Sequence, residues 1–507
     1  MADSKKSTAV GKAAAAAPSV TLQEGIDDAK LVAATTNSKV VREGEIVDLV
    51  NVLLDEINKR TVTYDGSVTR TIKAVIDRID EVMSEQLAAI MHHEKFRKLE
   101  GSWRGLHYLA ANTPSAHDLK IKVRNISKER LAREFEKAPE IQQSKLYRMI
   151  FEAEFDQPGG HPYGALIGDY EFTNEPDDIG LLENMAKVGE AAFCPFVSAA
   201  APELLGLERF QDLRRVNDLA NVFQAPSYAK WRSLRDSESS RFLVLTMPRT
   251  LARLPYGKET RRIDEFGFEE MPVDGEGKLI GGGHEDRYCW MNSAFVYGAR
   301  LTEAFYDTGW CTRIRGEENG GLVEGLPVHD FIDHAGDEVM QCPTEVPLSL
   351  TREKELSALG FLPLLHTKNK DEAVFYGGQT VQKPKKLDDK DATANAAISA
   401  RIPYILAASR IAHYLKCIAV HKIGSFMERE TCEKWLNNWI MQYVINDADP
   451  APEIKARFPL AEARIHVEEV PGSPGEYKAA LLLRPWLMLE QLTAAVSMVT
   501  TFRRKEK

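Results

Sequence analysis

The chain has 507 residues, and its proportions of 44% apolar and 28% charged residues are ordinary for globular domains. The formal net charge of -10 argues against general binding to nucleic acids or anionic membranes, because both attract clustered basic surfaces. A chain of this length is expected to fold into about three domains.

The cysteines predict neither a disulfide framework nor a redox pair. All six lie at least fifteen residues apart, so the sequence contains no CxxC pattern. The longest apolar runs also fall short of the roughly twenty residues that a membrane span needs. We therefore expect a cytoplasmic protein that inserts into no membrane and binds no nucleic acid.

The first segment, residues 1–44, is rich in Ala, Ser, Thr and Lys and has little periodicity, which is typical of a flexible arm. One apolar piece, 39-KVVREGEIVDLV-50, has the composition to become ordered by adding a strand or a short helix to a neighbour. An ordinary disordered or locally folded tail is the alternative.

Residues 45–150 are predicted to be mainly helical. Apolar residues recur with three-and-four spacing from Thr69 to Ile90, and the same spacing resumes at Phe96. We expect two amphipathic helices with a break or bend near His92 and His93.

The second of these helices contains two glycines, Gly101 and Gly105, which each cost about 1 kcal/mol of helix propensity relative to alanine. Four residues apart, they share one face and permit close approach of another backbone. Trp103 is a large potential anchor on the neighbouring face, and Arg104 can pair with Glu100 across one turn. Tight packing within the chain is the favoured interpretation, and an assembly contact is the alternative.

The central region, residues 151–390, alternates short apolar runs with helical patterns, which predicts an α/β layer with partly parallel strands. Strands are expected at 164–172, 193–200, 241–249, 344–350 and 361–367. Helices are expected at 179–192, from 202 to 213, at 290–308 and at 352–360. A polar insertion near 255–287 is predicted to form an exposed loop or hairpin.

Residues 391–507 are predicted to complete the core with two helices and a β-hairpin. The expected positions are 395–424 and 430–444 for the helices, and 463–470 with 478–489 for the hairpin. The first helix is expected to bend or break at Pro403. The second carries Trp435 and Trp439.

The best candidate for a metal site is 328-VHDFIDHAGDE-338, where His329, Asp330, Asp333 and His334 lie close together in sequence. Histidine and carboxylate ligands suit zinc, iron or manganese. No second histidine-rich motif completes the set, so a polar loop near a helix start is the favoured interpretation. We expect no metal and no cofactor, and we keep a cytoplasmic metal-dependent hydrolase as the alternative function.

A second charged cluster, 313-RIRGEENGG-321, places Arg313, Arg315, Glu317 and Glu318 around a predicted tight turn. These charges can position a substrate or hold two chains together. A solvated loop at the end of a strand is the alternative.

Several ordered stretches together resemble one known family. They are EKFRKLEGSWRGLHYL, FDQPGGHPYGALIGDYEF, KWRSLRDSESSRFLVLTMPR, TRIRGEENGGLVEGLP and EKWLNNWIMQYV, followed by the predicted hairpin. From about residue 60 to the end, the chain resembles the large subunit of the type VI secretion contractile sheath, the TssC (VipB) family.

The resemblance implies a structural subunit of a bacterial machine and not an enzyme. It implies pairing with a small sheath subunit (TssB, or VipA), polymerisation with further copies of itself, and an inner tube of Hcp protein within the sheath. The assembly would stand on a membrane-anchored baseplate, and contraction would propel the tube toward a target cell. A ClpV-type ATPase would disassemble the contracted sheath, mainly through the small subunit.

The resemblance also implies a fold and a set of contacts. The expected fold is a mixed α/β core like that of phage tail sheaths, with sheets flanked by helices and terminal extensions that exchange strands between subunits. Under this interpretation the helix of Gly101, Trp103 and Gly105 is packing or a heterodimer interface, and the Arg313–Glu318 turn is a conformational or inter-subunit contact. The helix from Glu433 to Val444, which carries Trp435 and Trp439, and the C-terminal segment are candidate surfaces for the inner tube.

Overall fold

The structure is a computed structural model of the full chain. The residues that it describes are 68–216, 218–264, 266–271, 287–332, 338–422, 429–445, 447, 450–469 and 477–486. The predicted arm at 1–44 lies outside the described residues, as does the segment that follows the C-terminal hairpin.

The helices are numbered here in chain order. They are α1 (Val68–Met91), α2 (Glu94–Ala111), α3 (Lys128–Glu136), α4 (Lys145–Tyr147), α5 (Pro176–Ala192), α6 (Leu219–Val222), α7 (Ala229–Asp236), α8 (Ser293–Thr308), α9 (Leu350–Ala358), α10 (Lys390–Ser399), α11 (Ile402–Lys422), α12 (Arg429–Ile440) and α13 (Pro452–Arg457). The α4 helix continues directly as a π-helix over Arg148–Phe155.

The strands are numbered in the same way. They are β1 (Leu166–Phe172), β2 (Phe196–Ala200), β3 (Leu243–Met247), β4 (Thr250–Leu251), β5 (Trp290–Met291), β6 (Leu322–Val323), β7 (His329–Ile332), β8 (Glu338–Gln341), β9 (Leu362–Pro363), β10 (Leu365–His366), β11 (Ala373–Val374), β12 (Leu460–Glu469) and β13 (Tyr477–Pro485).

Capping residues in the sequence fix where several helices begin. The hydroxyl of Ser127 accepts a hydrogen bond from the Arg130 amide at the start of α3, and Ser349 caps α9 in the same way. Asn292 caps α8, which ends at Gly309 with a positive φ of 77°. Polar side chains and glycine therefore set these helix ends locally.

A four-stranded parallel sheet organises the larger part of the fold. Its strand order is β1-β2-β3-β9, and every residue of β2 and β3 is buried. Such continuous apolar strands require cover on both faces of the sheet. One hydrophobic cluster packs Leu245 and Met247 with residues of α5 and α7, and a second packs Val244 with residues of α8 and α11.

The strand predictions for this sheet are confirmed at β1, β2, β3 and β9. The mixed α/β fold is confirmed as well, since antiparallel pairs accompany the parallel sheet: β10-β11-β6, β4-β5, β7-β8 and β12-β13.

The C-terminal region forms a third hydrophobic cluster. It joins α11 and α12 to β12 through Ile411, Leu436, Ile440 and Ile465, all buried. The predicted hairpin is confirmed, with Ala463 opposite Leu483 in an antiparallel register. The long predicted helix is broken into α10 and α11 at residues 400–401, just before Pro403, as its sequence indicated.

The described residues divide into two compact units. One contains residues 68–93 and the described part of 255–283, and the other contains the rest. In the first unit, α1 ends at Met91, which confirms the predicted break at His92 and His93.

The polar insertion differs from its prediction as an exposed loop. Phe268, Glu270 and Met271 are buried in the first unit. The Glu270 carboxylate accepts a hydrogen bond from the Tyr256 amide at 2.8 Å and lies 3.2 Å from His92 Nε2. In the described part of the insertion, Phe268 and Met271 are covered, and the buried acid Glu270 is paired. Residues 272–286 of the insertion lie outside the described residues.

Two local predictions are wrong. Residues 202–213 form two 3-10 turns, Pro202–Leu205 and Phe210–Arg214, because Gly206 adopts a φ of 73° that ends the first. Residues 344–350 form no strand apart from an isolated bridge between Thr344 and Thr250. Pro347 lacks an amide donor, so this segment cannot continue a ladder.

Candidate assembly surfaces

The glycines of α2 are explained by packing within the chain. A Cβ atom on Gly101 would lie 2.2 Å from the Trp290 carbonyl oxygen, and one on Gly105 would lie 2.3 Å from the Phe295 ring. Both distances are too short for any real carbon contact. The favoured interpretation from the sequence therefore agrees with the contacts: the glycines let α2 approach β5 and α8 closely.

A charged network holds the same helix from its side. The Arg253 guanidinium donates to both carboxylate oxygens of Glu100, at 2.6 and 3.1 Å, and Arg104 Nε donates at 2.7 Å. Burial would raise the pKa of Glu100, but the hydrogen bonds from Arg253 and then Arg104 outweigh it and leave that pKa lowered. Arg104 thus serves a contact within the chain.

The opposite face of α2 is apolar and exposed. Phe96, Leu99 and Trp103 are 41%, 56% and 66% exposed, and they follow one another at helical spacing. We call these three residues the Trp103 stripe. Exposed large apolar side chains in a row are typical of surfaces that a partner covers. The structure therefore separates Trp103 from the glycines, which the sequence placed on neighbouring faces.

In the first unit, α1 carries a similar stripe. Ile76, Ile79, Met83 and Ile90 are each about half exposed, at 50%, 51%, 46% and 59%. The predicted helix is confirmed, but half of its apolar face has no cover within the described part of the chain. Such a face fits an amphipathic helix of a partner.

The Arg313–Gly321 segment folds back on itself as a tight loop. Gly316 and Gly320 have φ angles of 75° and 79°, and the Gly316 amide donates to the Phe375 carbonyl at 2.8 Å. Arg313 Nη2 donates to the Glu318 carbonyl at 3.0 Å. The glycines are required here because positive φ is unfavourable for other residues.

A surface cleft of about 260 Å³ opens beside this loop. Arg313, Glu317 and Glu318 line it together with acidic residues of α8, Glu303 and Asp307. Arg315 is absent from the lining and lies beside Gly378 instead, where a Cβ atom added to the glycine would be 3.4 Å from Arg315 Cδ. The structure thus brings three of the four predicted charges together.

The two tryptophans of α12 pack within the chain. Both are half-buried against the C-terminal cluster, and the Trp439 ring lies 5.4 Å from Tyr443 and 6.4 Å from Tyr414. Each ring keeps only part of its surface for a contact with another chain.

Next to these tryptophans, α12 also caps one edge of β12. Asn437 accepts a hydrogen bond from the Ile465 amide at 2.9 Å and donates to the Ile465 carbonyl at 2.7 Å, while Glu433 accepts from the Val467 amide. The other edge of β12 pairs with β13. Among the described residues, β13 pairs with β12 alone, so its outer edge is open.

The candidate metal cluster does not converge where the structure describes it. His329–Ile332 forms strand β7, which pairs with β8, so the predicted loop near a helix start is wrong for these four residues. His329 is buried, with Nδ1 2.7 Å from the Tyr288 hydroxyl, whereas Asp330 is exposed, as alternation along a strand requires. Asp333 and His334 lie outside the described residues. Within the described ranges, no group of three or more potential ligands forms a metal site.

Sequence reasoning missed one further exposed segment, 119-LKIKVRNI-126, between α2 and α3. Its signal was available: apolar and basic residues alternate with a period of two. Ile121 and Val123 are 41% and 67% exposed.

Comparison with known protein families covers nearly the whole described chain. The model of the EvpB/VC_A0108 (VipB) tail sheath N-terminal domain matches residues 73–382. The model of the EvpB/VC_A0108 tail sheath gpW/gp25-like domain matches residues 391–502. Across the parts of the chain that can be described, no helix has the length and apolarity of a membrane span.

A curated relative extends the match. The type VI secretion system sheath protein TssC1 of Pseudomonas aeruginosa is 44% identical over 486 residues, which cover 95% of this chain and 96% of that protein. The helical sheath of the anti-feeding prophage in its contracted state is similar at 10% identity over 64% of this chain and 67% of that one, with a TM-score of 0.29. A score of that size marks a distant likeness, so the family follows from the sequence matches. These relatives give no support to the metal-dependent hydrolase.

Proposed function

The chain belongs to the VipB (EvpB) family of tail sheath proteins and is a structural subunit of a contractile type VI secretion sheath, and we propose which of its surfaces build that sheath. As such a subunit it pairs with a small sheath subunit and polymerises into a helical sheath. The observation that carries this function is the 44% identity over 95% of the chain to a protein named as such a sheath component.

The finer parts of the machine are proposals for this chain. The sheath encloses an inner tube of Hcp protein, stands on a membrane-anchored baseplate in the bacterial cytoplasm, and is disassembled by a ClpV-type ATPase, mainly through the small subunit. The family is structural, and we propose no catalytic role for any residue. The domain boundaries near residues 44, 150 and 390 also stay a proposal.

The Trp103 stripe is proposed as part of the interface with another chain. Its three side chains expose apolar surface in one row, and the reverse face of α2 is already occupied by β5 and α8. Removal of apolar surface from water is the main favourable contribution to most protein association. An aromatic anchor such as Trp103 is the side chain most often found at the energetic centre of an interface.

The open edge of β13 is proposed as the acceptor of an exchanged strand. Side chains of α12 already bond the outer edge of β12 at Ile465 and Val467. A strand from a neighbouring subunit would therefore pair with the outer edge of β13, which is unpaired among the described residues. Main-chain hydrogen bonds of this kind link subunits while rigid cores rotate. The donor would be a terminal extension of a neighbouring subunit.

Two further contacts with other chains are proposed. The Arg313–Glu318 loop presents Glu317 and Glu318 at an open cleft, where an inter-subunit or state-dependent ion pair can form. The half-buried Trp435 and Trp439 leave part of α12 for the inner tube.

Electron microscopy of co-expressed chains tests the function. Hollow, ridged tubules are expected when this chain is produced with its small subunit, and they should vanish when either chain is omitted. Two chains that stay separate and soluble would contradict the proposal.

One variant extends the same experiment to the proposed interface. Trp103→Ala is expected to prevent complex or tubule formation, with little change in the fold because the side chain is 66% exposed. Leu387→Ala, at another exposed apolar position, is the control. Tubules of normal yield from Trp103→Ala would remove α2 from the interface.

A further inference from the structure

The segment Leu119–Ile126 has the properties of an unpaired β-strand. Residues 119–127 contain no turn, bend or helix, so the chain keeps one direction there. Among the described residues, no backbone-to-backbone hydrogen bond involves residues 120–125. The segment is tied at its end, where the Tyr170 hydroxyl donates to the Ile126 carbonyl at 2.8 Å.

The two faces of this segment carry different side chains: one face is basic and the other is apolar. The basic side chains bond groups of the same chain: Lys122 pairs with Glu154, and Arg124 Nη2 lies 3.0 Å from Glu134 Oε2. Ile121 and Val123 occupy the alternate positions and point their β-branched side chains to the surface. The apolar face is thus exposed, and the amides of residues 120–125 have no backbone partner among the described residues, which are the properties of a sheet edge to which another strand can add.

The local charge indicates what kind of strand fits. Lys120, Lys122 and Arg124 share one face of the segment, within a chain of net charge -10, and Glu154 and Glu134 offset the charges of the last two. Side chains opposite one another across paired strands lie on the same face, and opposite charges there are favourable. An added strand should therefore place apolar side chains beside Ile121 and Val123, and carboxylates beside Lys120, Lys122 and Arg124.

We propose that Leu119–Ile126 accepts a strand of the small sheath subunit in which apolar and acidic residues alternate. The inference rests on the proposed function, which supplies that partner. A second copy of this chain is a poor donor through the same segment, because the pairing would set its lysines and arginine opposite themselves. Pairing would add main-chain hydrogen bonds and bury Ile121 and Val123 in one step.

Zero-length carbodiimide cross-linking of the purified two-chain complex tests the donor. The reagent joins a lysine amine to a carboxylate in contact, so Lys120 and Lys122 should couple to one acidic, alternating segment of the small subunit. Coupling of Lys122 to Glu154 within the chain is the internal control for reactivity. Coupling only within the chain, or to a second copy of it, would overturn the proposal.

Hydrogen exchange in assembled tubules tests the pairing itself. The amides of residues 120–125 should exchange at least about a hundred-fold more slowly than in a free peptide of the same sequence. The described residues supply no backbone partner for these amides, so such protection is expected when a strand of the small subunit pairs with them. Tubules whose amides at 120–125 exchange freely would refute this strand and leave the sheath function intact, whereas absence of tubules would count against the sheath function.

A variant pair completes the test. Val123→Asp puts a charge on the face that the donor covers, and it should lower the recovered complex about tenfold or more, as the loss of a central interface residue does. Leu387→Asp makes the same change at another exposed position and should leave the yield unchanged. Equal yields for the two variants would contradict the proposal.

Discussion

At the scale of single residues, the two glycines of α2 show how a local cost is offset by a distant contact. Helix propensity alone disfavours Gly101 and Gly105. The Trp290 carbonyl and the Phe295 ring occupy the space that a side chain would need. A sequence reveals the cost of a glycine in a helix, but the contact that offsets it belongs to another part of the chain.

Substitution of Gly101 tests this account. Gly101→Ala should destabilise the fold by about 1–3 kcal/mol, because the new methyl group collides with a backbone carbonyl that cannot rotate away. Thermal unfolding of the purified two-chain complex measures the change. The control is Gly180→Ala in α5, where the added Cβ meets no atom within 4 Å and should stabilise slightly. Equal effects of both variants would contradict the packing account.

His413 is a second residue whose role depends on its surroundings. It is buried, and Nε2 donates to the Ala192 carbonyl at 2.9 Å. Burial, helped by the charge of Arg410, lowers the pKa of His413 to about 4. The folded protein therefore holds this imidazole neutral at pH values where the unfolded chain binds a proton.

This lowered pKa predicts a pH dependence. As the pH falls from about 6.5 to about 4, the unfolded chain takes up a proton before the folded one, so up to about 3 kcal/mol of stability is lost. Above about pH 7 the contribution to stability is constant. His413→Gln keeps a donor for Ala192 and should flatten that slope in urea titrations between pH 7.5 and 4.5. The exposed His107→Gln is the control, and an unchanged slope in His413→Gln would refute the assignment.

At the scale of elements, α12 and β12 are joined by side chains of the helix that form hydrogen bonds with the strand backbone, where another strand would otherwise pair. Asn437 of α12 bonds both the amide and the carbonyl of Ile465, and Glu433 bonds the Val467 amide. These contacts close one edge of the C-terminal hairpin, and the other edge is unpaired among the described residues. Trp435 and Trp439 of α12 also pack against the C-terminal hydrophobic cluster, which includes Ile465 and Val467 of β12.

Removal of the Asn437 amide should loosen that junction. Asn437→Ala leaves a backbone donor and acceptor of Ile465 without these partners, which costs about 1–3 kcal/mol. Faster hydrogen exchange at Ile465 and a lower unfolding temperature are expected. Asn438→Ala, at the exposed neighbouring position, should change neither. If the two variants behave alike, the edge of β12 is not held by Asn437.

At the scale of the whole molecule, the described residues combine buried hydrophobic cores with exposed apolar side chains on helices and with strand edges that have no partner. Within the described ranges, the parallel sheet is buried on both faces, whereas α1, α2, the segment 119–126 and β13 each present apolar surface or unpaired backbone. A protein that acts alone rarely leaves so many such features. They are expected of a subunit whose neighbours complete it.

Deletion of residues 1–44 tests whether the arm links subunits. The truncated chain should still form a complex with its small subunit, because the described cores begin after the deletion. It should fail to form long tubules, since the exchanged strand is lost. Electron microscopy and size-exclusion chromatography of the full-length and truncated complexes give both results. Tubules of normal length that contract would show that the arm is dispensable.

The sequence by itself determined the strands β1, β2 and β3 and the helix break before Pro403, because apolar runs and proline act on the backbone nearby. It also determined the family, through several long motifs in a fixed order. It failed where nearby residues compete, as at Gly206, which divides a predicted helix, and at His329, which alternation along β7 separates from Asp330. Only the tertiary structure decided that the glycine face of α2 is buried and its Trp103 stripe exposed. Both faces are apolar or small, so amphipathic periodicity cannot distinguish them, and the choice depends on which face meets β5 and α8.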